Sequence, residues 1–288
     1  MASPPPSLPH RGGGSECARP PLAQGCLPHE EMQYLFGDSD TAARRLQVVA
    51  EVFAESSKAF LLEAVTAEPR LAVDLGCGPG YSTHLLADVL KCDHTVGLDN
   101  SEYFISLAQK RKTESVSFYL HDVTRVPFPV GPGELMYCRF LLTHLTDPQA
   151  MISKWATQLR PKGLLLMEEV EWIRTNCTIF TSYLAIVQAM LEHHSNTLYV
   201  GPVLDELKDS STLARIMSRV ARLQVESHRA ATMFFLNMQS WKDRPFVQVT
   251  YSPEQISQLE RDLHAMMNAP KGDIEIEWGL RQVVHERR

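Results

Sequence analysis

Short apolar runs alternate with amphipathic stretches along the middle of the chain. Between the runs, apolar residues recur with a period near 3.6, which is typical of helices that bury one face. Strands that alternate with helices predict an α/β fold built on a parallel sheet. Five runs have the length of buried strands: 71–74, 94–99, 116–120, 135–139 and 164–167.

The regions on either side of these runs also carry helical and strand patterns. Ser39 or Asp40 can cap a helix whose apolar period continues to about residue 65. After the fifth strand, helical patterns cover 178–194, 204–218 and 253–267. Alternating patterns at 222–228, 274–278 and 282–285 predict a sixth and a seventh strand, the last returning as an antiparallel edge.

These elements predict an α/β, doubly wound, Rossmann-like sheet of seven strands with an antiparallel last strand. N-terminal helices precede the sheet, and a helical insertion follows strand five. The proline- and glycine-rich composition at the start of the chain predicts a disordered tail. The predicted divisions are the tail 1–28 and one domain, 29–288, with a helical cap (29–66), a core (67–170), a helical lid or acceptor region (171–218) and C-terminal strands and helix (219–288).

Composition narrows the function classes. The net charge of −6 at pH 7, without a basic run, argues against a nucleic-acid partner. The six cysteines are scattered without a C-x-x-C pair, as expected in a reducing cytoplasm, and no metal site is expected. No apolar stretch approaches the ~20 residues that span a membrane. No signal-peptide pattern is visible, so we expect a cytoplasmic protein.

A glycine-rich turn follows the first strand. Asp74 closes that strand, and Gly76, Gly78 and Gly80 follow on alternate positions. Glycine allows positive φ and lets a ligand approach backbone N–H groups at the start of a helix. The turn differs from the dinucleotide fingerprint, because Tyr81 occupies the third glycine position. A carboxylate here would repel a pyrophosphate, whereas it suits a cationic ligand.

Two more acids follow neighbouring strands. Asp99 ends the second strand about 20 residues after the glycines, where a carboxylate can accept both hydroxyls of a ribose. The same residue can instead cap the next helix, and the two roles are compatible. Asp122 follows the third strand and would be an ordinary turn acid if it stood alone. Together the three acids mark the carboxyl ends of three strands.

The stretch 71–169 resembles the class I S-adenosylmethionine (SAM)-dependent methyltransferases, with the glycine turn as their motif I. It is similar to the stand-alone, single-domain enzymes of the ubiquinone/menaquinone-type branch. One departure is local: Gly133, Glu134 and Leu135 stand where the family usually has an acid and a phenylalanine before strand four. The resemblance implies SAM as the cofactor, bound by Tyr34, Asp74, Gly76, Cys77, Gly78, Gly80, Asp99, Asn100, His121, Asp122, Val123 and Arg139.

The resemblance also implies an activity, which is methyl transfer to a small-molecule acceptor such as those of secondary metabolism. The alternative is a SAM-binding fold that does not methylate and instead catalyses a rearrangement or cyclisation, or serves as a partner-binding subunit. Methylation of nucleic acid or protein is disfavoured, because no Asn-Pro-Pro-Tyr type tetrapeptide follows strand four. Residues 138–141 read Cys-Arg-Phe-Leu there.

Three polar residues are candidates for facing the transferred methyl group. His144 follows strand four, Glu169 ends strand five, and Tyr34 would descend from the N-terminal segment. A general base is needed only if the acceptor holds its proton near neutral pH, and His144 is then the better candidate, because its unperturbed pKa is ~6.5. The alternatives are that His144 braces its loop, that Glu169 is a solvated strand end, and that Tyr34 is a packing residue.

Overall fold

The computed structural model describes residues 37–268 and 273–288. The predicted tail 1–28 and the candidate Tyr34 lie outside the described residues, as does the beginning of the predicted helical cap. The described residues comprise the sheet, its helices and the part of the cap that begins at Gly37.

The described residues form one mixed sheet that confirms the predicted fold class. Its order is β3-β2-β1-β4-β5-β7-β6, with β1 to β5 mutually parallel where they pair, and with β7 antiparallel to both β5 and β6. The strands are β1 (Leu71–Leu75), β2 (His94–Asp99), β3 (Val116–Leu120), β4 (Gly133–Arg139), β5 (Leu159–Thr175), β6 (Leu213–Gln224) and β7 (Ile276–Arg287).

Side chains cap the N-termini of several helices. The Ser39 side chain accepts the Ala42 N–H, as expected for an N-cap, and Asp147 caps the helix that starts with Pro148. The helices are α1 (Asp40–Ala64), α2 (Tyr81–Leu90), α3 (Glu102–Gln109), α4 (Pro148–Ala156), α5 (Thr178–His193), α6 (Gly201–Glu206), α7 (Ser227–Trp241), α8 (Pro245–Thr250) and α9 (Pro253–Met267).

The second half of the sheet differs from the sequence prediction. Residues 213–218, predicted to be helical, belong to β6, and the predicted strand at 222–228 ends at Gln224, where α7 soon begins. The two predicted C-terminal strands are one strand, β7, which lies inside the sheet and not at its edge. The strand β6 lies at the edge of the sheet and has no fully buried face. Its sequence therefore shows no clear alternation of apolar and polar residues that would predict a strand.

The sheet separates two layers and leaves its carboxyl edge between them. On one face, α1 and α2 cover an apolar cluster around Phe60, Leu86 and Tyr137. On the other face, Trp155 of α4 packs into a second cluster. A third cluster, formed largely by α5, α7 and α9, packs on the far ends of β5 and β7. Helix α1 contacts both α2 and α7, so it borders the edge where ligands of open α/β sheets bind.

Candidate functional site

The glycine turn has the geometry that its sequence predicts. Gly76, Gly78 and Gly80 have φ values of +67°, +52° and +88°, a region that glycine occupies without strain. A Cβ on Gly76 would lie 2.7 Å from Leu141 Cδ1, in the loop after β4. A Cβ on Gly80 would lie 2.7 Å from the Phe118 ring. The turn therefore needs glycine for its backbone conformation and for its close packing.

Asp74 lies beneath the turn and braces the first residues of α2. Its side chain is buried, and Oδ2 accepts hydrogen bonds from the hydroxyls of Ser82 and Thr83, each at 2.7 Å. Burial raises the pKa of Asp74 to about 6, although these two bonds and the nearby Arg139 charge lower it in part. The observed bonds support the turn, and a direct contact of Asp74 with a cationic ligand stays a prediction.

Asp99 is positioned by the turn and by the start of the next helix. Its Oδ2 accepts the Gly78 N–H at 2.8 Å, and its Oδ1 accepts the Ser101 N–H at 2.9 Å. A carboxylate oxygen has two acceptor sites, so both oxygens can still accept ribose hydroxyls. Burial raises the pKa of Asp99, while the backbone bonds oppose the shift. Asn100, the neighbouring candidate, is exposed.

The candidates after β3 form a self-bonded turn. Asp122 Oδ1 accepts the Thr124 N–H and hydroxyl, and Oδ2 lies 3.3 Å from Arg125 Nε. The His121 ring is hydrogen bonded to the Arg125 carbonyl, and Val123 is buried. These contacts fix the turn beside Asp99, because β2 and β3 are paired there. A contact of Asp122 with an adenine ring stays a prediction.

Arg139 connects the end of β4 to the cap. Its Nη1 donates to Ser57 Oγ of α1 at 2.9 Å, and its positive charge acts on Asp74. Cys77, another predicted binding residue, is buried, and burial is the main cause of its raised thiol pKa. At neutral pH this cysteine is a packed thiol and not a nucleophile.

Glu169 is buried and holds the loop that follows β4. Its side chain is 1% exposed, and Oε1 accepts the N–H groups of Leu141 and Leu142 at 2.8 and 2.7 Å. Burial raises its pKa to about 8, although the two N–H bonds lower it in part. The alternative of a solvated strand end is therefore wrong. The contacts make Glu169 a brace for the loop that carries His144.

His144 ends a short 3-10 helix, Leu142–His144, in this loop. Its Nδ1 atom is buried, and burial together with the positive charge of Arg45 lowers its pKa to about 3. An imidazole with that pKa is neutral at pH 7 and is a weak base, so the unperturbed pKa no longer argues for His144 as the general base. A catalytic role for His144 stays a prediction.

The sequence reasoning missed a polar cluster above this loop. Arg45 of α1 is 8% exposed, and its Nη1 donates to Asn237 Oδ1 of α7 at 2.8 Å. Asn237 Nδ2 donates in turn to the Tyr183 hydroxyl of α5 at 2.6 Å. Arg45 and Asn237 stand on otherwise apolar faces of α1 and α7. A polar residue on an apolar helix face is the sequence signal that could have indicated this cluster.

Comparisons with known proteins agree with this geometry. Residues 73–167 match a family model described as a methyltransferase domain. A Bacillus halodurans protein solved as a candidate methyltransferase superposes with a TM-score of 0.53 at 13% identity, covering 81% of this chain and 98% of that one. The plantazolicin methyltransferase BpumL, solved with S-adenosylhomocysteine, gives 0.50 at 14% identity, covering 89% and 94%. The shared fold is that of the class I methyltransferases.

The match to the methyltransferase-domain model thus runs from β1 into β5 of the sheet. Sequence relatives extend this match only in part. The chain is 36% identical over 102 residues to a trans-aconitate 2-methyltransferase of Variovorax paradoxus, covering 35% of this chain and 39% of that protein. It is 30% identical over 173 residues to an uncharacterized 37.1 kDa transposon protein of Streptomyces fradiae, covering 58% and 47%. The chain thus spans less than half the length of these relatives.

Within residues 37–268 and 273–288, no helix has the length and apolar character needed to cross a membrane. The same described residues contain no group of three or more histidine, cysteine or acidic side chains placed to hold a metal ion.

Proposed function

We propose that the protein transfers a methyl group from SAM to a small-molecule acceptor. The observation that carries this proposal is the bond from the Gly78 N–H to Asp99 Oδ2, because it places a carboxylate beside the glycine turn at the carboxyl edge of the sheet. A cofactor with ribose hydroxyls and two positive groups suits this set of acids and backbone N–H groups. Among similar proteins, BpumL and the Variovorax protein are named as methyltransferases.

The chain's own residues would bind, orient and enclose the reactants. Bound SAM supplies a methyl group that its sulfonium already activates. Asp99 would hold the ribose, the glycine turn would contact the amino-acid part, and the loop braced by Glu169 would border the methyl group. Such a reaction gains rate from alignment and exclusion of water.

Several finer assignments belong to the same proposal. We place the protein in the stand-alone ubiquinone/menaquinone-type branch on the basis of its motif I and its acids. We also propose a cytoplasmic location, which the six scattered cysteines support. The net charge of −6 supports the proposal that the substrate is not a nucleic acid. The division into cap, core, acceptor region and C-terminal part remains a proposal as well.

Transfer of a labelled methyl group tests the proposal directly. The protein is incubated with methyl-labelled SAM and a deproteinised cell extract, and label is followed into small molecules. We expect a labelled product that depends on the protein and is inhibited by S-adenosylhomocysteine. Tight binding of SAM without transfer to any fraction would favour the alternative, a fold that binds SAM without methylating.

A further inference from the structure

Four polar residues from four parts of the chain meet beside the loop after β4. We call Arg45, His144, Tyr183 and Asn237 the arginine cluster. Hydrogen bonds join Arg45 to Asn237 and Asn237 to Tyr183. Arg45, Tyr183 and Asn237 are all buried, although their helices are far apart in sequence. Such a convergence of polar groups within apolar surroundings is typical of ligand sites.

Arg45 is the positively charged member of the arginine cluster. The charge of Arg45 lowers the pKa values of both His144 and Tyr183. Burial is the larger cause in each case, and it leaves the His144 pKa at about 3 and the Tyr183 pKa at about 12. Both side chains are therefore neutral at pH 7, and Arg45 supplies the positive charge.

The loop after β4 links the cluster to the cofactor side. His144 ends the short helix of this loop, and Leu141 at its start packs against Gly76 of the glycine turn. His144 of the cluster is thus only three residues along the chain from Leu141, which contacts the glycine turn. A group bound at the cluster would therefore be connected to the predicted cofactor site through this loop.

We propose that the acceptor carries a carboxylate, and that the guanidinium of Arg45 binds it. This inference rests on the proposed function. A guanidinium has five N–H donors in a planar fork that matches a carboxylate, and it can bind several acceptors at once. The opposite charges of the two sites would keep the cationic cofactor and the anionic acceptor in their own positions.

Fractionation of the cell extract tests whether the acceptor is negatively charged. The deproteinised extract is separated at pH 7 on an anion exchanger, and both fractions are assayed with labelled SAM. We expect the acceptor in the retained fraction, unaffected by phosphatase. An acceptor in the flow-through, or one destroyed by phosphatase, would overturn the carboxylate assignment while leaving the proposed function intact. Absence of transfer from every fraction would contradict the proposed function itself, and with it this inference.

Variants test the role of Arg45. Arg45→Met should raise the apparent KM for the retained acceptor roughly 10- to 100-fold, as loss of a charged hydrogen-bonded contact predicts, with a smaller change in kcat and unchanged affinity for S-adenosylhomocysteine. Arg45→Lys should recover part of the loss. Asn237→Asp places a carboxylate beside Arg45 that would compete with the carboxylate of the acceptor. This variant keeps nearly the same side-chain shape and should raise KM.

Arg44→Met is the matched control, because Arg44 is the exposed neighbour on the same helix and its loss should leave KM unchanged. If Arg45→Met and Asn237→Asp leave KM unchanged, Arg45 does not bind the acceptor. If both variants lower kcat and cofactor affinity together, the cluster has only a structural role and the inference is wrong.

Discussion

The glycine turn and the arginine cluster differ in how far apart along the chain their contacting residues lie. In the turn region, Asp74 bonds Thr83, nine positions away, and Gly78 bonds Asp99, 21 positions away. In the cluster, Arg45 bonds Asn237 across 192 positions. The predicted cofactor site therefore depends on one short stretch of sequence, whereas the proposed acceptor site forms only when helices distant in sequence pack together.

The largest expected effect is a change that breaks the turn. Gly80→Ala puts a Cβ 2.7 Å from the Phe118 ring at a φ of +88°. Left-handed backbone costs about 1–2 kcal/mol for a residue with a side chain, and overpacking adds about 1–3 kcal/mol. We expect a clear loss in the free energy of unfolding, measured by urea denaturation.

Gly131→Ala is the control for this change, because a Cβ at Gly131 meets nothing within 4 Å. Its unfolding curve should stay close to that of the wild type. Equal stabilities of the two variants would show that the turn is not under the steric constraint described above.

A loss of comparable size is expected from the Glu169 brace, which holds the loop after β4. Glu169→Leu removes the acceptor for the N–H groups of Leu141 and Leu142. Each buried donor that is left unsatisfied costs about 1–3 kcal/mol. We expect lower stability together with faster hydrogen exchange of those two amides. Glu169→Gln keeps an acceptor oxygen and should retain most of the protection of these amides from exchange. Equal exchange rates in Glu169→Leu and Glu169→Gln would show that Glu169 does not brace the loop.

The pH dependence of stability tests whether the pKa of Glu169 is raised in the folded protein. Its folded pKa of about 8 lies above the unfolded value of 4.5, so folding favours the protonated form. The stabilising contribution is complete below pH 4.5 and is lost as the pH rises through 8. The free energy of unfolding of Glu169→Gln should thus fall less between pH 5 and pH 8 than that of the wild type. Parallel curves would show that the Glu169 pKa is not raised.

The smallest effect is expected within the arginine cluster. Tyr183→Phe removes the hydroxyl that accepts the Asn237 amide at 2.6 Å. A neutral hydrogen bond contributes about 1 kcal/mol, so the free energy of unfolding should fall by roughly that amount. Thermal unfolding followed by calorimetry measures the change, and a loss several times larger would indicate that the aromatic stacking of Tyr183 on Phe234 has also changed.

The same difference in sequence separation explains how much of the fold and of the candidate site could be predicted from the sequence. The first four parallel strands, the glycine turn and the three acids follow from local pattern, and the structure has them close to the predicted positions. Strand five is longer than predicted: it runs from Leu159 to Thr175, so Glu169 lies inside the strand and not at its end. The lowered pKa of His144 could not be predicted, because it depends mainly on burial and also on the charge of Arg45, which lies on another element. Strands β6 and β7 were misassigned in part, since their mutual pairing, and not their own periodicity, defines them.

The central claim is that the carboxyl edge of β1 and β2 binds SAM, and calorimetry with S-adenosylhomocysteine and Asp99→Ala tests it most directly. Asp99 would make two hydrogen bonds to the ribose, and bonds to a charged group contribute about 1.5–3 kcal/mol each. We predict tight binding by the wild-type protein and a loss of roughly 100-fold or more in the variant. Unchanged affinity in Asp99→Ala, with the fold intact by circular dichroism, would contradict the account.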